Sequence, residues 1–175
     1  MVRVVERTQG VSCDQALAMR GVYAPTIRHE ARTIAEAFLH RVSAGMIDSA
    51  LALVDANAFA DLTPLKLRGP ASEVMRRYVI DMAEAFPELS LRIRRLFVGL
   101  DGTAVAEVTV QGVQAADLWG IPSRGRVLEL DQVWLLHVDD NMKMDRVGAY
   151  WCQYQLCRML GARRLHRISG GASDG

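Results

Sequence analysis

Asp61 is flanked by Phe59 and Leu62. An apolar setting disfavours the charged form of a carboxylate, raises its pKa and suits it to act as a base. The same residue, just ahead of Thr63-Pro64, also fits a solvated turn position. Gln132, Trp134 and Leu136 alternate along one segment, so in a strand they share a face. Gln132 can hydrogen-bond a carbonyl or be satisfied by a neighbouring strand. Trp134 can stack on a flat aromatic ring or fill the core. Asp145, Val147, Ala149 and Trp151 share a face in the same way. That parity sends Asp145 to the same surface, unless it pairs with an arginine at the sheet edge. Tyr78, on a helix, offers a hydroxyl as a weak acid or orienting donor, or stands half-exposed. These residue types suit proton transfer and hydrogen-bond donation to a carbonyl.

Other reactive residues fit plainer roles. His137 has the opposite parity to Trp134 and faces away from it. His29 and His40 share a helix face, but no acidic or cysteine ligand stands at fitting spacing, so no metal site is expected. Cys13, Cys152 and Cys157 match no zinc or redox spacing and are odd in number. They are expected to be inert thiols in a reducing compartment. Arg92, Arg94 and Arg95 read as the solvated side of a strand, and His166 falls in the tail.

The elements that must position these groups are legible from periodicity. Residues 1–27 form an N-terminal arm, either loosely held or serving as a lid. Within it Asp14–Arg20 is a short helix capped by Ser12, and Pro25 punctuates the arm before the domain. Ala31, Ile34, Ala35, Phe38, Leu39 and Val42 recur at helical spacing and predict a helix over 27–44, stopped at Gly45. Asp48 or Ser49 caps a second, short helix. Asn57–Asp61 is a short extended piece, and Gly69-Pro70 is a turn. A third helix opens at Ser72, buries Met75, Val79, Met82 and Phe86, and ends at Pro87. The period then changes to two. Leu89, Leu91 and Ile93 mark one strand, and Asp101-Gly102 makes a hairpin turn. Ala104, Ala106, Val108 and Val110 mark the next strand. Strands over 127–138 and 143–151 follow, joined by Asp139-Asp140-Asn141. From residue 162 the chain becomes a basic, Gly/Ser-rich tail. Helices followed by an antiparallel meander define an α+β fold with helices on one face of the sheet.

Composition narrows the function classes. The chain has 175 residues, enough for one domain with a real core. Its formal net charge of +1 gives no field for nucleic acid or an anionic membrane, and its 6% aromatic content is thin for single-strand stacking. No apolar run approaches the ~20 residues of a membrane span, and the N-terminus carries no export signal, so a cytoplasmic location is expected.

Several short patterns occur in a telling order: Gly45-Met46-Ile47-Asp48, Gly69-Pro70, Ala85-Phe86-Pro87-Glu88, Asp101-Gly102 with Gly112, Gly120-Ile121-Pro122 with Gly125-Arg126, and Arg158-Met159-Leu160-Gly161. Over residues 28–161 this order resembles the SnoaL-like polyketide cyclases of the NTF2-like superfamily. The resemblance implies a cone-shaped α+β barrel, a curved antiparallel sheet with helices over its concave face around one apolar pocket. It also implies a homodimer and a hydrophobic polycyclic or polyketide-derived substrate; strand parity against Trp151 turns Tyr150 outward, a position for the dimer contact. Members close rings by intramolecular aldol condensation without metal or organic cofactor, using an acidic residue on the last strand and a histidine on the strand before it.

Counted back from Gly161, those two positions are Ala149 and Trp134, neither of which is a base. The wagers for catalysis are therefore Asp61 as base, Gln132 as donor and Trp134 as wall. Tyr78, Trp119, Leu136, Asp145, Ala149 and Trp151 are expected to contact substrate. Three functions remain open under the resemblance. The first is a cyclase or isomerase, with relocated acid/base groups or with a closure needing only shape and hydrogen bonds. The others are a binding protein without turnover, and a hydroxylase-associated or dehydratase relative acting with a partner.

Overall fold

The computed structural model describes residues 13–162, with side chains from residue 28 onward. The Ser12 cap, the start of the arm and nearly all of the tail lie outside the described residues. Helix α1 runs over Cys13–Ser43. It is one continuous helix, not a short helix and a second one separated at Pro25. A proline removes one hydrogen bond and crowds one carbonyl, while the bonds on either side of it remain. The stop at Gly45 is as expected. The Met46 N–H reaches the Arg41 carbonyl at 2.9 Å and the Gly45 N–H reaches that of Val42 at 3.1 Å. Gly45 itself takes a φ of +68°. This is the left-handed cap that closes many helices.

Helix α2 (Ile47–Leu51) has Met46 at its N-cap with no side-chain cap bond. Asp48, expected as a cap, instead meets Arg76 at 2.7 Å on the surface. Strand β1 is longer than the predicted piece, spanning Val54–Leu62. A 3-10 turn over Thr63–Leu65 leads into β2 (Leu67–Pro70) where only a turn was expected. Pro70 is tolerated there because β2 lies at the sheet edge, where a missing N–H costs nothing. Helix α3 (Ala71–Ala85) buries Val74, Met75, Tyr78, Val79 and Met82. Phe86, its C-cap, is fully buried as well.

The meander follows as β3 (Ser90–Val98), β4 (Thr103–Val113), β5 (Val127–Val138) and β6 (Met144–Trp151). A final helix, α4 (Gln153–Met159), was not legible in advance. The sheet order is β2-β1-β6-β5-β4-β3. The α+β class and the curved sheet agree with expectation, with two differences. The sheet is open at β2 and β3 and does not close into a barrel. It is also mixed, because β1 runs parallel to β6.

Inner-face residues line up across the strands. Leu62, Ala149, Trp134 and Ala106 form one row, and Val147, Leu136 and Ala104 form the next. Trp151, Gln132 and Val108 form a third. The helices close over these rows. The Asp101 and Asp139 turns fasten the hairpins. Each carboxylate is held below its usual range, first by a backbone N–H, from Thr103 and Lys143 respectively.

Gly45→Ala should lower stability by about 1 kcal/mol in urea denaturation. Nothing lies within 4 Å of the added Cβ, so the loss comes from backbone strain alone.

Candidate functional site

Trp134 is fully buried at the centre of the inner face. Its neighbours on the adjacent strands are Ala106 and Ala149, whose small side chains leave room for an indole. Phe38 and Tyr78 meet it edge-on, with ring centroids 6.3 and 5.8 Å away. A buried indole N–H needs an acceptor. Here Trp134 Nε1 donates to Gln132 Oε1 at 2.9 Å. That bond turns the Gln132 amide nitrogen towards the Tyr78 hydroxyl, 3.5 Å away.

Tyr78 is only 3% exposed, not half-exposed as its helix position suggested. Burial pushes its pKa up to about 12, partly offset by the bond from Gln132. The phenol is therefore neutral across the physiological range and keeps its proton for donation. Tyr78 also lines a cavity of about 250 Å³ with Val42, Met82, Phe86, Leu91 and Val110, among others. Trp134 fills the centre of the cup, and the cavity lies to one side, between the ends of α1 and α3 and the start of β3, with Tyr78 on its wall. Leu136 and Ala149 are fully buried in the floor.

On another side of Tyr78 stand the remaining tryptophans. Trp119 and Trp151 are nearly parallel, 17° apart with centroids separated by 6.4 Å, and lie 6.2 and 6.0 Å from the Tyr78 ring. Trp151 Nε1 donates to Gln153 Oε1 at 2.8 Å. Trp119 sits in a two-residue turn closed by mutual Leu118–Ile121 backbone bonds of 3.0 and 2.8 Å. Both central residues are left-handed, Trp119 at φ +48° and Gly120 at +78°. A tryptophan in that region is strained and persists only where its surroundings demand it. Its Nε1 donates to Asp81 Oδ2 at 2.8 Å.

Two expected carboxylates point elsewhere. Ala58, Ala60 and Leu62 turn inward, so Asp61 lies on the outer face of β1. Its Oδ2 meets Arg68 at 2.9 Å and its Oδ1 accepts a bond from Thr63 at 3.0 Å. Asp145 was placed with Val147 and Ala149 by parity, but the β5–β6 register shifts between His137 and Val138. The resulting bulge puts both Asp145 and Arg146 outward, and Asp145 pairs with His137 at 2.5 Å rather than with an arginine. His137 faces outward as its own parity required. Among the described residues, the buried polar or charged side chains besides Tyr78 are Thr109, Gln114 and Gln132, none of them ionisable. No group of three His, Cys, Asp or Glu gathers as a metal site among them, and no described helix is long and apolar enough to cross a membrane.

Residues 30–161 match the family model for SnoaL-like polyketide cyclase. The chain belongs to that family. Solved structures agree on the NTF2-like fold. A protein assigned as a SnoaL-like polyketide cyclase from Jannaschia sp. CCS1 is 14% identical, with a TM-score of 0.69 over 78% of this chain and 94% of that one. TsrD from Streptomyces laurentii is 25% identical, with a TM-score of 0.66 over 77% and 97%. SalBIII, described as an epoxide hydrolase/cyclase-like enzyme with a role in pyran ring formation in the polyether salinomycin, is 17% identical, with a TM-score of 0.58 over 73% and 94%. A comparison with curated proteins gives no match.

The raised Tyr78 pKa carries a sign. Between pH 10 and about 12 the unfolded chain loses the phenolic proton while the folded one keeps it, so stability falls as pH rises through that window. Circular dichroism melts should show a smaller alkaline loss in Tyr78→Phe than in the parent chain.

Proposed function

We propose that this chain is a cofactor-independent cyclase or isomerase acting on a hydrophobic, polyketide-derived intermediate, working as a homodimer. The observation that carries the reading is the chain of contacts from Trp134 through Gln132 to Tyr78, which ends in a neutral phenol on a cavity wall. Gln132 donates to the phenolic oxygen, which leaves the O–H free to donate to a substrate carbonyl. As that carbonyl becomes an enolate, the bond strengthens in a site poor in water. The apolar walls hold the substrate folded and lower the entropic cost of ring closure. Family membership and the ring-forming relative support the reaction class. Exposed Phe59, Phe97 and Tyr150 on the outer sheet face support the homodimer, which light scattering would measure.

A second reading, binding without turnover, is favoured by the lack of a buried carboxylate among the described residues. Incubation with partly cyclised poly-β-ketone esters, followed by chromatography and mass spectrometry, separates the two. The cyclase reading expects a new ring-closed product, with turnover falling at least ~10-fold in Tyr78→Phe. Asp61→Asn, altered on the outer face, should stay within about twofold of the parent, inside the usual range of surface changes. Saturable binding with no product from any ester would favour the binding protein.

A further inference from the structure

We propose that Asp81 is the relocated general base of this site, held in place by Trp119; the inference rests on the cyclase reading and names its missing carboxylate. Asp81 lies three residues after Tyr78 on α3, so the two side chains leave the same side of the helix one above the other. Asp81 is half-buried. The acids drawn into ion pairs are elsewhere: Glu36, Asp48, Asp61, Glu107, Asp131 and Asp145 each meet a basic side chain. Among the described residues Asp81 meets none. Its one side-chain partner is the Trp119 indole at 2.8 Å on Oδ2, which fixes the carboxylate and leaves Oδ1 available to take a proton.

The loop that brings Trp119 is built for this placement. Its first residues dock on the end of α3, where the Ala115 N–H donates to the Ala85 carbonyl at 2.8 Å. Leu118 and Ile121, each 1% exposed, anchor the turn in the core. The turn then holds Trp119 in a strained left-handed conformation, with its ring against Tyr78 and its N–H on Asp81. Trp119 and Trp151 together offer flat aromatic surface on which a substrate ring can rest beside the carboxylate.

In the step so arranged, Asp81 Oδ1 removes a proton from the carbon next to a substrate carbonyl. The C–H electrons pass to that carbonyl oxygen, which Tyr78 stabilises by hydrogen bonding. The enolate carbon then attacks a second carbonyl of the same molecule. One carbon–carbon bond forms, and the new alkoxide takes the proton back from Asp81. The sum is an isomerisation that needs no oxidant, reductant or co-reactant. Trp119 is a positioning residue, acting through Asp81.

The test uses 2-tetralone in deuterium oxide, with α-proton exchange followed by NMR and binding followed by calorimetry. Asp81→Asn keeps an oxygen that can accept from the Trp119 indole, so the loop stays anchored while the base is lost. The parent chain should accelerate exchange. Asp81→Asn should slow it at least ~10-fold with affinity for 2-tetralone unchanged. Trp119→Phe, which keeps a ring and loses the N–H, should give an intermediate rate. Exchange in Asp81→Asn equal to the parent would remove Asp81 as base while leaving the cyclase reading intact. No exchange above buffer in the parent chain would overturn both.

Discussion

The burial of one indole constrains the rest of the site. Trp134 has no contact with solvent, and a polar N–H cannot be left without an acceptor in such a place. Gln132, two residues away on the same strand, supplies that acceptor. Satisfying one end of the amide fixes the other, so the amide nitrogen faces Tyr78. The indole also sets the size of its neighbours. Ala106 and Ala149 flank it across the sheet, where a larger side chain would meet the ring. Packing thus ties two positions together: the bulk of Trp134 favours a small residue at its cross-strand neighbour, Ala149.

The sheet decides which acids can take part. A single irregularity between β5 and β6 sends Asp145 outward to His137, and the parity of β1 does the same for Asp61. The concave face is left without an ionised group among the described residues, apart from what α3 and the loop before β5 bring to its rim. Under the proposed reading, the work falls to a neutral donor inside and a carboxylate at the edge. That division suits a cavity in which a buried charge would be costly.

Much of this was legible in the sequence. Alternation in β4 and β5 placed Gln132, Trp134 and Leu136 on one face, and the stripe on α3 named Met75, Val79 and Met82 but passed over Val74 and Tyr78. The failures have local causes. Met144 and Val147 are both buried with Asp145 and Arg146 between them, the spacing a bulge produces, and counting in twos passes over it. Phe59 looks like a core residue yet is exposed, which lent Asp61 an apolar setting it does not have. The Trp119 turn lacks the Asn-Gly or Asp-Gly pair that usually signals a left-handed hairpin. Asp81 is an ordinary helix residue until the fold brings Trp119 to it from far along the chain.

The chain has three tryptophans, and all three pack around a single phenol ring. Its intrinsic ultraviolet emission therefore originates in one small region instead of being averaged over the whole molecule. Any guest, proton or solvent molecule that enters there changes the light from every emitter together. The protein carries its own optical probe, already installed where chemistry is expected.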